Sequence, residues 1–371
     1  MHNKKIFVTK PFLPPINEYN SYLERIWDSN ILTNEGPLLK EFEEEIKNYL
    51  KCRNVTLFVN GHAALETALK MLPVCGEVIT TPFTFSSTTH AIVNTGNKPI
   101  FCDIKEENYT IDEKKVVNLI TKKTSAIVAV HVFGYPCNVE IIEKIAKAYE
   151  LKVIYDAAHA FGTEYNGTPI SEYGDISMFS FHATKLFHTI EGGALIYKND
   201  EYKKKFELYK NFGISSPDIV EITGINAKMN EFQAAMGLVN IKYISQIINK
   251  RRLITERYQQ NMEDIKGIKM IREEKINKHN YAYLPILIDE SEYGHTRDQL
   301  FEHLESNDIF ARKYFYPLVT KYKCYRDEYI NCDVPIAEYV SERIMTLPIY
   351  TELSLDDVDR ICSVVNSLKR V

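Results

Sequence analysis

The first two-thirds of the chain repeat one arrangement, a short β-branched or aromatic run followed by a stretch with helical spacing. NVTLFVN (54–60) leads into GHAALETALKML, EVITTPFTF (77–85) leads into STTHAIVNTG, and KPIFCDI (98–104) follows. TSAIVAVHVFG (124–134), LKVIYDAAHAFG (151–162), DISMFSF (175–181) and GGALIYK (192–198) continue the series. Apolar runs of this kind suit strands covered on both faces. Strands that alternate with helices predict an α/β fold with a mostly parallel central sheet flanked by helices.

From about residue 237 the texture changes. NIKYISQIINKRRLITERYQQNME (240–263) predicts one long amphipathic helix. YAYLPILID (281–289), HTRDQLFEHLESND (295–308) and SLDDVDRICSVVNSLKR (354–370) then predict a smaller α+β domain. The expected division is a large domain over residues 1–238 and a small C-terminal domain over 239–371, and 371 residues suffice for both.

Charge and cysteine usage narrow the function classes. With 45 basic and 50 acidic residues, no like-charge block reads as a nucleic-acid arm, and EFEEEIKNYLK (41–51) reads as an exposed helix face. The opening MHNKKIFVTKPFLPP lacks the apolar core of a secretory signal, and no stretch approaches the ~18 apolar residues of a membrane span. Seven scattered cysteines without a C-x-x-C pair argue against a disulfide framework or a zinc site. The expectation is a cytoplasmic protein without bound metal, acting on neither nucleic acid nor membrane.

In open α/β sheets, ligands bind beyond the carboxyl ends of the strands. Gly61, His62, Phe85, Asp156, His159, Ser180 and Lys185 all fall at or just after such ends. Lys185, within FSFHATKLFHTIEGGALI (179–196), either snorkels to solvent or sits in a pocket. In a pocket, desolvation yields a free amine able to condense with an aldehyde. Asp156 is either a helix N-cap or a partner for a protonated pyridine nitrogen, which pyridoxal phosphate requires. His159 either bonds that cofactor's phenolic oxygen or fills a helix face. Gly61 opens a helix whose amides either bind an anion or form an ordinary turn, and Ser180 offers a hydroxyl to the same phosphate. Phe83 and Phe85 either stack on a flat ring or pack the core. His182 and His188 are open between the substrate and the loop itself.

Phosphate cradle, stacking ring, carboxylate and lysine arrive in that chain order. With LTNEGP, NGHAAL, TPFTF, HVFGYP, DAAHAFG, FSFHATK…EGG, GINAKMNEFQAAMGL and YFYPL, they make the sequence resemble the sugar aminotransferases of the DegT/DnrJ/EryC1/StrS family. The resemblance covers nearly the whole chain and implies a fold-type-I, aspartate-aminotransferase-like architecture. It assigns Lys185 to the Schiff base with pyridoxal 5'-phosphate and Asp156 to the ring nitrogen, with His159 beside it. It assigns Phe85 to ring stacking and Gly61, His62 and Ser180 to the phosphate cradle. Asn226 matches a residue that reaches the other subunit's cofactor phosphate, so a homodimer with shared active sites is implied.

The resemblance further implies transfer of an amino group from L-glutamate to a nucleotide-linked 4-keto-6-deoxyhexose. dTDP-4-keto-6-deoxy-D-glucose is the best match, and its product, dTDP-4-amino-4,6-dideoxy-D-glucose, serves surface polysaccharide such as O-antigen. Thr33, Asn34, Lys228, Arg312 and Tyr316 are candidates for contact with the sugar nucleotide. A 3-keto sugar, another pyridoxal-phosphate reaction or a Schiff-base aldolase are the competing enzymes, and a scaffold without chemistry is the competing class. Relatives that act as dehydratases carry histidine in place of the lysine, so Lys185 favours transfer. Two departures stand out: His62 replaces a hydroxyl residue, and Asn226-Ala227-Lys228 replaces Asn-Tyr-Arg, exchanging a forked cation for a point charge.

Overall fold

The structure, a computed structural model, describes residues 4–271 and 277–368. Helices α1 (Ile16–Ser29) and α2 (Pro37–Leu50) precede β1 (Asn54–Phe58), α3 (Gly61–Met71), β2 (Glu77–Thr80), α4 (Ser86–Asn94) and β3 (Lys98–Phe101). Strands β4 (Thr124–Val130) and β5 (Lys152–Asp156) follow, then a small hairpin, β6 (Glu164–Tyr165) and β7 (Thr168–Pro169). Strands β8 (Ile176–Ser180) and β9 (Gly193–Tyr197) complete a seven-stranded sheet of order β1-β9-β8-β5-β4-β2-β3. Only β9 runs against its neighbours.

Alternate side chains of these strands enter two different cores, as a period of two requires. Leu57, Ile127, Ala129, Val153, Tyr155, Phe179 and Ile196 join one cluster. Phe58, Ala126, Val128, Ile154, Met178 and Leu195 join the other. Both sheet faces are therefore dry, which explains why the runs read as apolar throughout. Strand β2 stops at Thr80 although the apolar run extends to Phe85. Pro82 has no N–H to give the ladder, so Thr81–Phe85 crosses the carboxyl edge of the sheet as a loop.

The long helix expected over 240–263 is two helices, Glu231–Ile241 and Ile244–Met262. At the break, Lys242 N–H bonds Val239 O at 3.3 Å and Tyr243 N–H bonds Asn240 O at 3.0 Å. The turn has tightened to i→i+3 bonds. The buried Asn240 amide donates to His188 O at 2.9 Å and fixes this corner to the loop that carries Lys185. At the other end of the first of these helices, the Glu231 carboxylate accepts from Leu38 N–H and Leu39 N–H, each at 2.9 Å. It thereby caps α2, whose own N-cap, Gly36, has no side chain to do so.

An exposed hairpin, β10 (Ile214–Ser216) and β11 (Ile219–Val220), lies before these helices. Strands β12 (Ile268–Met270), β13 (Asn277–Lys278), β14 (Leu284–Ile288) and β15 (Ile344–Leu347) come after them. β13 pairs with β6, while β12-β14-β15 form an antiparallel sheet. That sheet packs on Ile254, Tyr258, Leu300, Leu304, Val358 and Ile361 from three helices. The same core buries Ile6 completely. The N-terminal segment threads through it, with Ile6 N–H to Asp308 O at 2.9 Å and Ile349 N–H to Val8 O at 3.1 Å. Among the described residues no helix is long and apolar enough to cross a membrane, and no three His, Cys, Asp or Glu side chains gather as metal ligands.

Candidate active site

A cavity of about 540 Å³ opens where β1, β5 and β8 end, walled on the far side by Arg312, Tyr314 and Phe315. Asp156, the last residue of β5, is 5% exposed. Its Oδ2 accepts from the Thr88 hydroxyl at 2.7 Å and its Oδ1 from Ala158 N–H at 3.1 Å. Burial raises its pKa, and Thr88, the Ala158 amide and Lys185 work against that rise. A buried carboxylate with two neutral donors and a single nearby cation is suited to accept from one more positive group.

Three residues on, His159 accepts from Phe133 N–H at Nδ1, 3.2 Å, which leaves its proton on Nε2. Burial drives its pKa well below the ordinary value, with Lys185 adding to the effect, so the ring is neutral and presents one N–H.

Lys185 follows β8 on the loop to β9, and its amine donates to the Tyr283 hydroxyl at 3.4 Å. Burial lowers its pKa; Tyr314 and Asp156 pull it up and Arg312 pushes it down. The net lowering favours the free amine, the nucleophilic form. The return from this loop is close-packed. A Cβ on Gly193 would lie 2.6 Å from Gly61 N, and one on Gly61 would lie 2.9 Å from Ser180 Cβ. The start of α3, the end of β8 and the start of β9 thus meet with no room for side chains. The start of α3 at Gly61 and Ser180 line the cavity at this junction, a helix start and a hydroxyl of the kind that fits a phosphate.

His62 stands at this rim, with Nδ1 2.9 Å from Ser87 Oγ and Nε2 3.1 Å from Glu66 Oε1. Phe85 is half exposed to the cavity, whereas Phe83 is fully buried against Tyr109, Phe133 and Phe315. Of the two open histidines, His182 lines the cavity and lies 3.5 Å from Glu191. His188 is buried away from it; its Nε2 lies 2.7 Å from Phe12 O and its Nδ1 accepts from Ile190 N–H. It fastens the N-terminal thread to the lysine loop.

The cavity therefore gathers Gly61, His62, Phe85, Asp156, His159, Ser180, Lys185 and Arg312. Asn226, Lys228, Thr33, Asn34 and Tyr316 are not on its wall. Lys228 donates to Asn211 Oδ1 at 2.7 Å, and Tyr316 carries the Arg297 guanidinium 4.6 Å above its ring. Asn226, Thr33 and Asn34 are exposed, near a surface bearing Leu32, Phe212, Ile219 and Val220. Sequence reading passed over Thr88, His90, Tyr283 and Tyr314. Thr88 lies one helical turn after Phe85 on the same face of α4, a spacing that could have revealed it. The two tyrosines reach the site through tertiary structure; Tyr314 opens the YFYPL motif, whereas Tyr283 leaves no local signal.

The geometry agrees with comparisons across known proteins. The profile of the DegT/DnrJ/EryC1/StrS aminotransferase family matches residues 16–366. A dTDP-4-amino-4,6-dideoxy-D-glucose transaminase from Shigella dysenteriae is 41% identical, over 99% of this chain and 100% of its own. Its namesake from Escherichia coli is 43% identical, over 97% and 98%. Among solved structures, DesI crystallised with its TDP-sugar product superposes with a TM-score of 0.94 at 31% identity, covering 98% of this chain and 93% of its own.

Proposed function

The chain belongs to the DegT/DnrJ/EryC1/StrS aminotransferase family, and from that premise we propose that its cavity binds pyridoxal 5'-phosphate and serves a nucleotide-sugar transamination. L-Glutamate is the donor and dTDP-4-keto-6-deoxy-D-glucose the acceptor, giving dTDP-4-amino-4,6-dideoxy-D-glucose for surface polysaccharide. The observation that carries the reading is the pairing of a Lys185 amine of lowered pKa with a buried Asp156 carboxylate across one cavity. The start of α3 at Gly61 lies on the cavity wall against Ser180, so close that a Cβ would strike Ser180 Cβ at 2.9 Å, and a helix start beside a hydroxyl fits a phosphate.

When bound, the cofactor supplies an aldehyde for amines and an electron sink for the carbon being deprotonated. The protein's own groups do the rest. Asp156 would accept from a protonated ring nitrogen, and the Nε2–H of His159 would be free to donate to a phenolic oxygen. Gly61, His62 and Ser180 would hold the phosphate, and Phe85, half exposed to the cavity, would cover the ring. The Lys185 amine, whose pKa burial lowers, would be the group that takes up and returns the proton of the substrate carbon.

The placement of Asn226, Thr33, Asn34 and Lys228 away from this chain's own cavity supports a homodimer in which each subunit completes the other's site, and we place its work in the cytoplasm as part of the same proposal. Lys228, Arg312 and Tyr316 are then assigned, with Thr33 and Asn34, to the sugar nucleotide. Residues 1–238 act as the cofactor-binding domain, and residues 239–371 as the smaller domain that walls the cavity with Arg312, Tyr314 and Phe315. The substrate assignment leans on the two relatives of 41% and 43% identity.

The purified protein with glutamate and a panel of dTDP-, UDP- and GDP-linked keto sugars provides the test. The dTDP 4-keto sugar should react fastest, and Lys185→Ala should slow turnover by about 10³-fold or more. A Lys185→Ala variant as fast as the parent would overturn the mechanism. Preference for a 3-keto sugar would overturn the substrate.

A further inference from the structure

Tyr283 stands 98 positions beyond Lys185, yet its hydroxyl is the hydrogen-bond partner of the lysine amine, at 3.4 Å. The amine also lies 5.9 Å from the centre of the phenol ring. The same ring packs 4.4 Å from His159 and 5.7 Å from Tyr314.

The backbone leading to Tyr283 is held with unusual thoroughness. Asn280 donates its amide to His159 O at 2.8 Å and Phe161 O at 3.0 Å, and its carbonyl accepts from Ala282 N–H at 3.1 Å. His279 Nδ1 accepts from Tyr281 N–H at 3.1 Å. Arg251, 3% exposed, reaches across from the helix Ile244–Met262 and donates to Ala282 O at 3.1 Å. A guanidinium buried against carbonyl oxygens, with no carboxylate among the described residues bonded to it, is a costly way to fix a chain segment. Burial lowers its pKa to about 10. The expense makes sense if the residue that follows must stand in one place.

Resting on the reading that Lys185 is the proton carrier, we propose that Tyr283 is its positioning residue: the phenol keeps the released amine pointed at the substrate carbon in both protonation states. A free amine accepts the phenol's O–H, and the ammonium formed when it takes the carbon-bound proton donates to the phenol oxygen. The proton removed from carbon stays on Nζ, and Tyr283 keeps its own throughout. Burial holds the phenol pKa at about 12, so it stays protonated through the neutral range. The lysine stem has four rotatable bonds, and without a partner much of its amine population would point elsewhere. The bland alternative is that Tyr283 only packs against His159 and Tyr314, in which case phenylalanine should serve equally well.

The discriminating variant is Tyr283→Phe, studied in two states. In the cofactor-loaded protein, single-turnover reaction with glutamate should slow about tenfold with little change in KM. The rate ratio between glutamate and α-deuterated glutamate should rise, because proton transfer becomes more limiting. In the cofactor-free protein, the pH profile of Lys185 acetylation by trace acetic anhydride, read by mass spectrometry, should shift. The ionisable neighbours of the amine are Asp156 on β5, His159 after it, and Arg312 and Tyr314 on the opposite wall. All are retained in the variant, so a shift reports the missing hydroxyl.

Unchanged rate, isotope ratio and labelling profile would overturn the proposal. If Lys185→Ala is inactive at the same time, the transamination reading survives that failure; if Lys185→Ala is active, both fall. Should Tyr283→Phe fold poorly, a fluorinated tyrosine at 283 keeps ring and hydroxyl while making the phenol more acidic. It should move the labelling midpoint, and an unmoved midpoint would count against the proposal.

Discussion

Burial lowers the pKa of Lys185 from its ordinary 10.5. Between the folded and unfolded values the unfolded chain binds a proton that the folded chain does not, so stability rises with pH across that window. The penalty is largest below the folded pKa and vanishes above 10.5. Cofactor-free Lys185→Met should accordingly be more stable than the parent at neutral pH, by about 1 kcal/mol, while being inactive. Denaturant unfolding of both cofactor-free proteins at pH 7 measures this, and a destabilised variant would show that the amine is well paired in the fold. Lys185 and Asp156 were legible because a charge in an apolar run has few reasons to be there. Thr88 and Tyr283 were not, since a hydroxyl on a helix and one tyrosine among 24 carry no such tension.

Helix α2 depends for its first turn on a residue almost two hundred positions away, the buried Glu231 carboxylate. Glu231→Gln keeps the shape but replaces a charged acceptor of two N–H groups with an amide that can accept through only one oxygen. Stability should fall by about 1–3 kcal/mol, seen as a lower denaturant midpoint with unchanged m-value. No loss would mean that water or another acceptor satisfies Leu38 and Leu39. The strands were readable from composition because both sheet faces are buried. The break between Glu231–Ile241 and Ile244–Met262 was not, because helical spacing continues through it. What interrupts it is a tightened turn held by Asn240 and the lysine loop, a contact between distant parts of the chain.

Histidines buried in the neutral state, His131 and His279 as well as His159, set an acid limit for the whole molecule. Burial lowers the pKa of His131 to about 3 and of His279 to about 4. Unfolded, each takes up a proton near 6.5. As pH falls below that value the unfolded chain alone gains protons, and stability should drop by about 1.4 kcal/mol per unit for each histidine. Unfolding midpoints at pH 7, 6 and 5 should show this fall, and His279→Asn should remove one histidine's share of the slope, about 1.4 kcal/mol per pH unit. A flat profile would mean that these rings are solvated in the fold. The family and its α/β architecture were visible at this scale in the order of short motifs. The position of Asn226 off this chain's cavity wall accords with the resemblance, which had assigned it to a second subunit's cofactor; that Lys228 and Tyr316 also lie off the wall was not visible, because motif order carries no distances.

The thread from Ile6 to Phe12 has a consequence for anyone handling this protein. It is bonded to Asp308 and Ile349 in the C-terminal core, and its last carbonyl, that of Phe12, lies against His188 in the lysine loop. Residues Ile6 to Phe12 thus act as a guy-rope between the two cores, anchored on the loop that carries Lys185. Trimming them as a dispensable leader would slacken a loop more than 170 positions downstream, and an apparently harmless shortening would register as a damaged active site.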